Sequence, residues 1–202
     1  MITKNEIRVK MRDMLAGVTP EQRHARSIAA CGLLTGTREF KNAQLIMIFL
    51  SMQSEVETGT LAVRAWSECK RIAVPRVQWV GKRMEPIEIK SLDVGMKNSG
   101  PGGAVREPIE GTQVPLGLID LVVIPGLAFD RRGYRVGRGR GFFDRFLAQQ
   151  DFQGVRCALC FHEQLLNEPV PVEEHDVPMD LIVTDREVLH CARANTPNRT
   201  VS

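Results

Sequence analysis

Three short runs of apolar residues limit the fold of this chain more than any other feature. Residues 45–50 (LIMIFL), 119–124 (IDLVVI) and 181–184 (LIVT) contain almost no polar residue. A strand that is covered on both faces has this composition, because neither face meets water. Segments with apolar residues at helical spacing lie between these runs. The alternation predicts an α/β fold, a single layered domain with a mostly parallel central sheet flanked by helices.

Two helices are predicted before the first strand. Residues 3–16 carry apolar residues at helical spacing. Thr19 is a favourable N-cap, Pro20 suits the first helical position, and Gln22 completes a capping box. The second helix is therefore expected to run from Pro20 to about residue 34.

The middle of the chain predicts a strand–helix–strand unit and a hairpin. Apolar residues at helical spacing over 61–69 lead into a strand at 71–74, which we expect Pro75 to end. Residues 77–89 predict a hairpin that turns at Gly81 and Lys82. Residues 91–117 contain many Gly, Pro and polar residues, so we expect a long ordered loop there.

The remaining segments complete one domain over residues 1–202. Residues 155–161 predict one more strand before the run at 181–184. We expect residues 190–202 to form a disordered or loosely packed tail. At 202 residues the chain has the usual length of one domain.

Composition excludes several classes of protein. The apolar fraction of 43% and the charged fraction of 25% are those of a globular protein, and no apolar run could cross a bilayer. The net charge of +3 is small for a dedicated nucleic-acid binder and suits an anionic small molecule. Five cysteines at irregular spacing indicate free thiols in a reducing compartment. With no signal-peptide pattern at the N-terminus, we expect a cytoplasmic protein.

The run at residues 133–144 (GYRVGRGRGFFD) is the strongest candidate for a binding site. Four glycines and three arginines alternate there, and Asp144 closes the run. Glycine lets a backbone approach a ligand closely, arginine binds phosphate through two donors, and a carboxylate can hold a metal. The run also follows a predicted parallel strand, at the sheet edge where ligands of α/β proteins bind. It suits a nucleoside triphosphate, although a solvated loop would also account for the glycines.

The chain offers candidate metal ligands in two places. Asp144 falls in the first turn of a predicted helix, where the helix dipole favours a carboxylate with or without a metal. The acid-rich stretch at 173–180, which includes Asp176, precedes the strand at 181–184. One of its carboxylates could meet Asp144 across the end of the sheet, and Mg²⁺ usually takes only one or two protein carboxylates. Solvated acids in a loop are the alternative.

Two other patterns have simpler interpretations. Cys157 and Cys160 with His162 resemble part of a zinc site, but in a strand the two thiols would point to opposite faces, so they are predicted to be core thiols. Five arginines between residues 131 and 140 could contact RNA. The chain has few aromatic residues for base stacking and no recognised RNA motif, so nucleic acid is not the expected partner.

Several ordered blocks together resemble the 5-formyltetrahydrofolate cyclo-ligase family, also called methenyltetrahydrofolate synthetase. They are residues 4–8, residues 50–58 (LSMQSEVET), Pro75 with Arg76, Met84, Glu107 with Pro108, and the run from Pro125 to Asp144. The blocks extend from residue 4 to about residue 184, so the resemblance covers nearly the whole chain.

The resemblance implies a role for each matching residue. The family's ATP-binding positions correspond to Lys4, Arg8, Arg135, Gly137, Arg138, Gly139, Arg140, Gly141, Phe142, Phe143 and Asp144. Its folate-binding positions correspond to Leu50, Met52, Glu55, Met84 and Phe143. Asp144 and Asp176 fall where the family places magnesium ligands, and Arg140, Asp144 and Glu55 are the expected catalytic residues.

The implied activity is a step of one-carbon metabolism. ATP would drive the cyclisation of 5-formyltetrahydrofolate to 5,10-methenyltetrahydrofolate with release of ADP and phosphate, and Mg²⁺ would be the cofactor. The family usually has tyrosine where Phe143 stands, so a non-catalytic folate- or nucleotide-binding module of the same fold is the alternative. We expect a monomer or weak homodimer whose partners are the two small-molecule substrates.

Overall fold

The computed structural model describes residues 2–103 and 105–191. The helices in these ranges are α1 (Lys4–Ala16), α2 (Pro20–Gly36), α3 (Arg38–Asn42), α4 (Gly59–Ser67) and α5 (Phe142–Leu147). Single 3-10 turns occupy Pro101–Gly103, Leu116–Leu118 and His162–Gln164. None of these helices is both long enough and apolar enough to cross a membrane.

The strands belong to three sheets. They are β1 (Leu45–Met47), β2 (Arg71–Gln78), β3 (Arg83–Ile89), β4 (Met96–Ser99), β5 (Val105–Pro108), β6 (Thr112–Gln113), β7 (Leu121–Ile124), β8 (Ala128–Asp130), β9 (Arg135–Val136), β10 (Val155–Leu159), β11 (Leu165–Leu166), β12 (Leu181–Val183) and β13 (Val188–His190). The main sheet has eight strands in the order β13-β12-β10-β7-β1-β2-β3-β6. Strands β11, β8 and β9 form a second sheet, and β4 pairs with β5 in a third.

The centre of the main sheet is parallel. Strands β12, β10, β7, β1 and β2 pair in parallel, whereas β13, β3 and β6 join the edges in antiparallel fashion. The apolar runs predicted as strands supply β1, β7 and β12. The predicted α/β class, with its mostly parallel sheet flanked by helices, is therefore confirmed.

Side chains from each central strand pack on both faces of the sheet. In β1, Ile46 packs with the residues of α1–α4 on one face, while Leu45 and Met47 pack with those of α5 on the other. Cys157 and Cys160 follow the same alternation and are buried on opposite faces, as the sequence predicts. Burial raises the pKa of both thiols well above its ordinary value.

The first two helices begin at capping boxes. Thr19 accepts a hydrogen bond from the Gln22 amide, and the Gln22 side chain accepts one from the Thr19 amide, as predicted. Thr3 and Glu6 form the same arrangement at the start of α1. The start of α1 is thereby fixed, which matters because its first turns carry Lys4 and Arg8.

The ends of β1 and β2 differ from prediction. Strand β1 ends at Met47 rather than at residue 50, and β2 continues through Pro75 to Gln78. Pro75 lies opposite Pro86 of β3, whose carbonyl accepts a hydrogen bond from Val114 on the far side. The prolines therefore form a pair that needs no hydrogen bond between β2 and β3. The missing N–H of Pro75 faces β1 and not β3. Strand β1 has already ended at this level, so no neighbouring strand needs that N–H and Pro75 does not stop β2.

The segment predicted as a long loop has structure of its own. Strands β4 and β5 pair within it, and β6 extends the main sheet. At the other end of the chain, His190 is the last residue of β13 and Cys191 is buried. The rest of the predicted tail, residues 192–202, lies outside the described residues.

Candidate active site

A cavity of about 460 Å³ lies at the carboxyl ends of the central parallel strands. Leu50 lines it just after β1, Val77 lines it from the last part of β2, and Gly126 lines it just after β7. The first turns of α1 and α5 supply further walls. This is the edge of an open α/β sheet at which loops converge and ligands bind.

The residues assigned from sequence to ATP, folate or a metal all line this cavity. They are Lys4, Arg8, Leu50, Met52, Glu55, Met84, Arg135, Gly137, Arg138, Gly139, Arg140, Gly141, Phe142, Phe143, Asp144 and Asp176. The fold thus brings together segments from both ends and the middle of the chain. Gly139, in particular, shares a cavity with Glu55 and with both candidate metal ligands.

The glycine–arginine loop, residues 137–141, connects β9 to α5. Gly139 has φ +93° and Gly141 has φ +68°, a region of backbone conformation that other residues rarely adopt. Arg8 from α1 donates from Nε to the carbonyl of Gly137 at 3.0 Å. The loop is therefore held against α1, and its conformation depends on glycine.

Asp144 is paired with a buried arginine. The Arg135 guanidinium donates from Nη2 to Oδ1 of Asp144, and the two side chains are 5% and 20% exposed. Nη1 of Arg135 donates to the carbonyl of Pro125 at 3.3 Å, while Nε is buried without an acceptor among the described residues. Among the described residues, Asp144 is thus the carboxylate that pairs with Arg135 and neutralises its charge.

Glu55 is paired with an arginine of the loop. Arg138 donates from Nε to Oε1 of Glu55 at 3.0 Å and from Nη2 to the hydroxyl of Ser54 at 2.8 Å. The other carboxylate oxygen of Glu55 accepts from the Met52 amide at 2.9 Å, and the side chain is 8% exposed. This pair joins the segment expected to bind folate to the loop expected to bind ATP.

The loop that carries Glu55 is anchored to α2 by Glu57. The carboxylate of Glu57 pairs with His24 at 2.8 Å and with Arg23 at 3.1 Å, and its amide donates to Ser27. The hydrogen bond with His24, followed by that from Arg23, holds the pKa of Glu57 below its ordinary value. These contacts fix the backbone on which Glu55 is mounted.

Asp176 is paired with the lysine of α1. Lys4 lies 2.6 Å from Oδ2 of Asp176 and 3.4 Å from a carboxylate oxygen of Glu173. Glu173, His175 and Asp176 bring potential metal-ligand atoms within 4.8 Å of one another. Asp144 lines the same cavity but does not belong to this group. The structure therefore pairs each predicted metal ligand with a cation and does not join the two acids to each other.

The sequence analysis missed several residues of the cavity wall. Trp79 and Lys82, at the turn between β2 and β3, line the cavity, and so does Arg106 of β5. A large aromatic residue in a short hairpin turn is the one signal that could have marked Trp79. Nothing local distinguishes Lys82 and Arg106 from ordinary surface cations.

A family model described as the 5-formyltetrahydrofolate cyclo-ligase family matches residues 1–185. The match covers most of the chain. This protein belongs to the 5-formyltetrahydrofolate cyclo-ligase family. The resemblance drawn from the sequence blocks is confirmed.

Relatives in the cyclo-ligase family match this chain along nearly their full length. The 5-formyltetrahydrofolate cyclo-ligase of Mus musculus is 29% identical in an alignment of 188 positions that covers 89% of this chain and 92% of the mouse protein. That of Escherichia coli K12 is 27% identical in an alignment of 184 positions that covers 88% of this chain and 98% of the relative.

Two solved structures share the fold. The NMR structure of Aquifex aeolicus 5,10-methenyltetrahydrofolate synthetase has a TM-score of 0.79 at 25% identity, covering 100% of this chain and 97% of the other. A 5,10-methenyltetrahydrofolate synthetase from Mycoplasma pneumoniae has a TM-score of 0.73 at 18% identity and covers 91% of this chain and 99% of its own.

Phe143 is the residue of this cyclo-ligase family member at which we expected tyrosine. Its ring packs against core residues from both faces of the main sheet, and the guanidinium carbon of Arg135 is 5.7 Å from the ring centroid. The phenyl ring therefore supports the arginine that pairs with Asp144. A hydroxyl at this position would add a hydrogen-bonding group to the cavity wall.

Proposed function

We propose that this protein catalyses the ATP-dependent closure of 5-formyltetrahydrofolate to 5,10-methenyltetrahydrofolate, with release of ADP and phosphate. One observation supports this most strongly. A single cavity is lined both by the glycine–arginine loop and by the segment that carries Leu50, Met52 and Glu55. When a phosphoryl group passes from one substrate to another, the two substrates must occupy adjoining sites. Membership of the cyclo-ligase family supports the same reaction.

The chemical problem lies in the formyl oxygen of the substrate. An amide-like carbonyl is a weak electrophile, and its oxygen cannot leave as oxide. Transfer of the γ-phosphoryl group from ATP to this oxygen releases ADP and converts the oxygen into part of a phosphate leaving group. N10 then attacks the formyl carbon and loses its proton, and the C–O bond breaks to release phosphate. ATP is thus a co-substrate.

The cations of the cavity would stabilise the negative charge of the phosphate groups during this transfer. Lys4, Arg8, Arg138 and Arg140 line the cavity and would neutralise charge on the phosphate groups. The amides of the loop can approach those groups because Gly139 and Gly141 carry no side chain. Glu55 would hydrogen-bond the pterin or the N10 region. Phosphoryl transfer depends mainly on positioning and charge, which this cavity offers.

Substrate binding would replace internal ion pairs. Arg138 now pairs with Glu55, and Lys4 with Asp176, so each cation would exchange a carboxylate for a phosphate oxygen. The exchange would release Glu55 for the folate and Asp176 for a metal. Binding of one substrate would in this way prepare the site for the other.

Mg²⁺ is the proposed metal. Asp144 and Asp176 offer carboxylate oxygens in one cavity, and Glu173 lies beside Asp176, a donor set of the hard oxygen type that Mg²⁺ prefers. When bound, Mg²⁺ would neutralise charge on the transferring phosphate. The residues of the chain would position ATP for the transfer.

The proposal also covers location and assembly. The five cysteines are free, and four of them are buried, which suits the reducing conditions of the cytoplasm. The exposed large apolar side chains, including Val9, Ile28, Val63 and Val80, come from several parts of the chain. Such scattered residues do not call for an obligate interface, so we propose a monomer or weak homodimer. Light scattering at several protein concentrations tests this state.

The decisive experiment mixes purified protein with 5-formyltetrahydrofolate and MgATP and follows the methenyl chromophore together with ADP. Both products are expected in equal amounts. Stabilisation by the ligands without ADP release would refute catalysis and leave the alternative, a binding module. Lys4→Gln should raise the KM for ATP, whereas Lys10→Gln, an exposed lysine of the same helix, should not.

Phe143→Tyr tests the departure from the family's usual residue. If the missing hydroxyl limits this protein, the substitution raises turnover or lowers the KM for a substrate. Unchanged kinetic constants would contradict that limit and show that phenylalanine suffices.

A further inference from the structure

Trp79 lies at the wall of the active-site cavity, where no sequence pattern placed a functional residue. It is the first residue of the turn that joins β2 to β3. Its ring meets Phe142 edge to face, with centroids 5.4 Å apart and an interplanar angle of 85°. The guanidinium carbon of Arg140 lies 5.3 Å from the centroid of the Trp79 ring. This distance is within the range of a cation–π contact.

The backbone of Gly100 fixes the indole from another side. A Cβ added at Gly100 would lie 2.1 Å from Cζ2 of Trp79 and 2.5 Å from Cη2, closer than such atoms can approach. Gly100 also has φ +74°, which glycine adopts without strain. The absence of a side chain at this position therefore makes the space in which the ring lies.

Packing, rather than hydrogen bonding, sets the orientation of the ring. The Nε1–H of Trp79 is buried and has no acceptor among the described residues. A tryptophan held by its N–H would place that group opposite an acceptor. The contacts that orient this indole are instead those with Gly100, Phe142 and Arg140.

Arg140 differs from the neighbouring arginines in its partners. Arg135 and Arg138 are each paired with a carboxylate. Across residues 2–103 and 105–191, the Arg140 guanidinium has no hydrogen-bond or ion-pair partner, and its contact is the face of Trp79. A π face attracts the guanidinium without neutralising its charge or using its N–H groups. Arg140 is thereby oriented with its donors free for an anion.

We propose that Trp79 is a positioning residue that holds Arg140 against the cavity wall for the phosphate groups of ATP. This inference rests on the proposed function, which supplies the nucleotide. Trp79 acts through Arg140, and Gly100 makes room for the ring. The orientation lowers the conformational freedom that Arg140 would otherwise lose on binding phosphate.

A double-mutant cycle on ATP affinity tests this coupling. Arg140 is exposed, so Trp79→Leu should weaken ATP binding about 2- to 5-fold, the factor that corresponds to a cation–π contact of about 0.5–1 kcal/mol at an exposed site. Arg140→Ala should weaken it at least as much. Adding Trp79→Leu to Arg140→Ala should then cause no further loss. A further loss of the same size in the double variant would mean that Trp79 contacts the ligand by itself, and would overturn the proposal.

Two further variants separate positioning from folding. Trp79→Phe keeps an aromatic face and should retain most of the affinity, and a loss as large as that of Trp79→Leu would count against the ring face. Gly100→Ala keeps the indole but displaces it, so ATP affinity should fall while the unfolding transition stays cooperative. Affinity at the wild-type level in Gly100→Ala, with the indole displaced as judged by its emission, would also overturn the proposal.

Fluorescence provides a readout that does not depend on turnover. The chain has two tryptophans, Trp66 and Trp79, and Trp66 of α4 does not line the cavity. In a Trp66→Phe background, ATP should change the emission of Trp79, and the additional change Arg140→Ala should abolish that response. An unchanged response without Arg140 would refute the coupling.

The outcomes for the two proposals are distinct. If the wild-type protein binds ATP with the expected cycle but forms no methenyl product, the cyclisation fails while the role of Trp79 stands. If product forms but the effects of Trp79→Leu and Arg140→Ala are additive, the role of Trp79 fails while the cyclisation stands.

Discussion

The ion pair between Asp144 and Arg135 allows a quantitative prediction. The Asp144 carboxylate pairs with Arg135 in the folded protein and is also a proposed metal ligand. The Arg135 side chain is 5% exposed, and beyond its pair with Asp144 the guanidinium has a long hydrogen bond to the carbonyl of Pro125 and the face of the Phe143 ring. Removing the charged partner of a buried ion pair costs about 3–5 kcal/mol. Asp144→Asn keeps the shape and one acceptor, so part of this interaction survives.

The expected loss of stability for Asp144→Asn follows from the difference between charged and neutral hydrogen bonds. A hydrogen bond to a charged group contributes about 1.5–3 kcal/mol, and a neutral one about 0.5–1.5 kcal/mol. Asp144 is 20% exposed, which moderates the difference through solvent screening. The free energy of unfolding should fall by roughly 1–2 kcal/mol, and Tm by about 2–8 °C.

Turnover should fall in this variant although the protein stays folded. A domain with about 5–15 kcal/mol of stability stays folded after a loss of this size. Any large loss of methenyl formation at 25 °C therefore reflects the site, and we expect at least about tenfold, equivalent to about 1.4 kcal/mol of activation free energy. Urea unfolding and ADP release measure the two effects separately.

Asp151→Asn is the matched control for Asp144→Asn. Asp151 is an exposed acid shortly after α5, so the same chemical change should alter stability by less than about 0.5 kcal/mol and leave turnover intact. If Asp144→Asn behaves like this control in both assays, the carboxylate neither neutralises Arg135 nor serves the reaction, and the reasoning fails.

Three further predictions concern packing, pH and thiol reactivity. A Cβ at Gly126 would lie 2.5 Å from the ring of buried Phe129, so Gly126→Ala should lower the free energy of unfolding in urea by about 1–3 kcal/mol. Gly32→Ala, in open space on α2, should not destabilise, and equal effects of the two substitutions would contradict this. The pKa of Glu57 lies below its ordinary 4.5 because of its hydrogen-bonded imidazole partner, so its contribution to stability is present above pH 4.5 and is lost as the pH falls through the lowered value. Glu57→Gln should flatten that acid limb in pH-dependent unfolding, and an unchanged limb would exclude the contribution. A thiol reagent should label only Cys69 in the native protein and five thiols in denaturant, and rapid labelling of a second native thiol would contradict the burial of the other four.

Local chemistry explains which parts of the fold could be predicted. The capping box at Thr19 and Gln22 depends on residues three apart, and it was predicted correctly. The prediction that Pro75 ends a strand was wrong because it depends on more than the local sequence. A proline ends a strand only where a neighbouring strand needs its N–H. That condition depends on where β1 ends. The pairing of β4 with β5 likewise depends on contacts that the composition of a loop does not reveal.

The sequence by itself determined the first two helices, the buried strands β1, β7 and β12, the family, and the membership of the cavity wall apart from residues such as Trp79. These follow from apolar periodicity and from blocks of residue types, which are properties of neighbouring positions. Only the tertiary structure decided which charged groups contact each other. Arg138 pairs with Glu55, which is 83 positions away in the sequence, and Arg140 contacts the ring of Trp79 instead of a carboxylate. The physical reason is that electrostatic and π contacts act over a few ångströms, and distances of that kind between remote residues exist only once the sheet has formed.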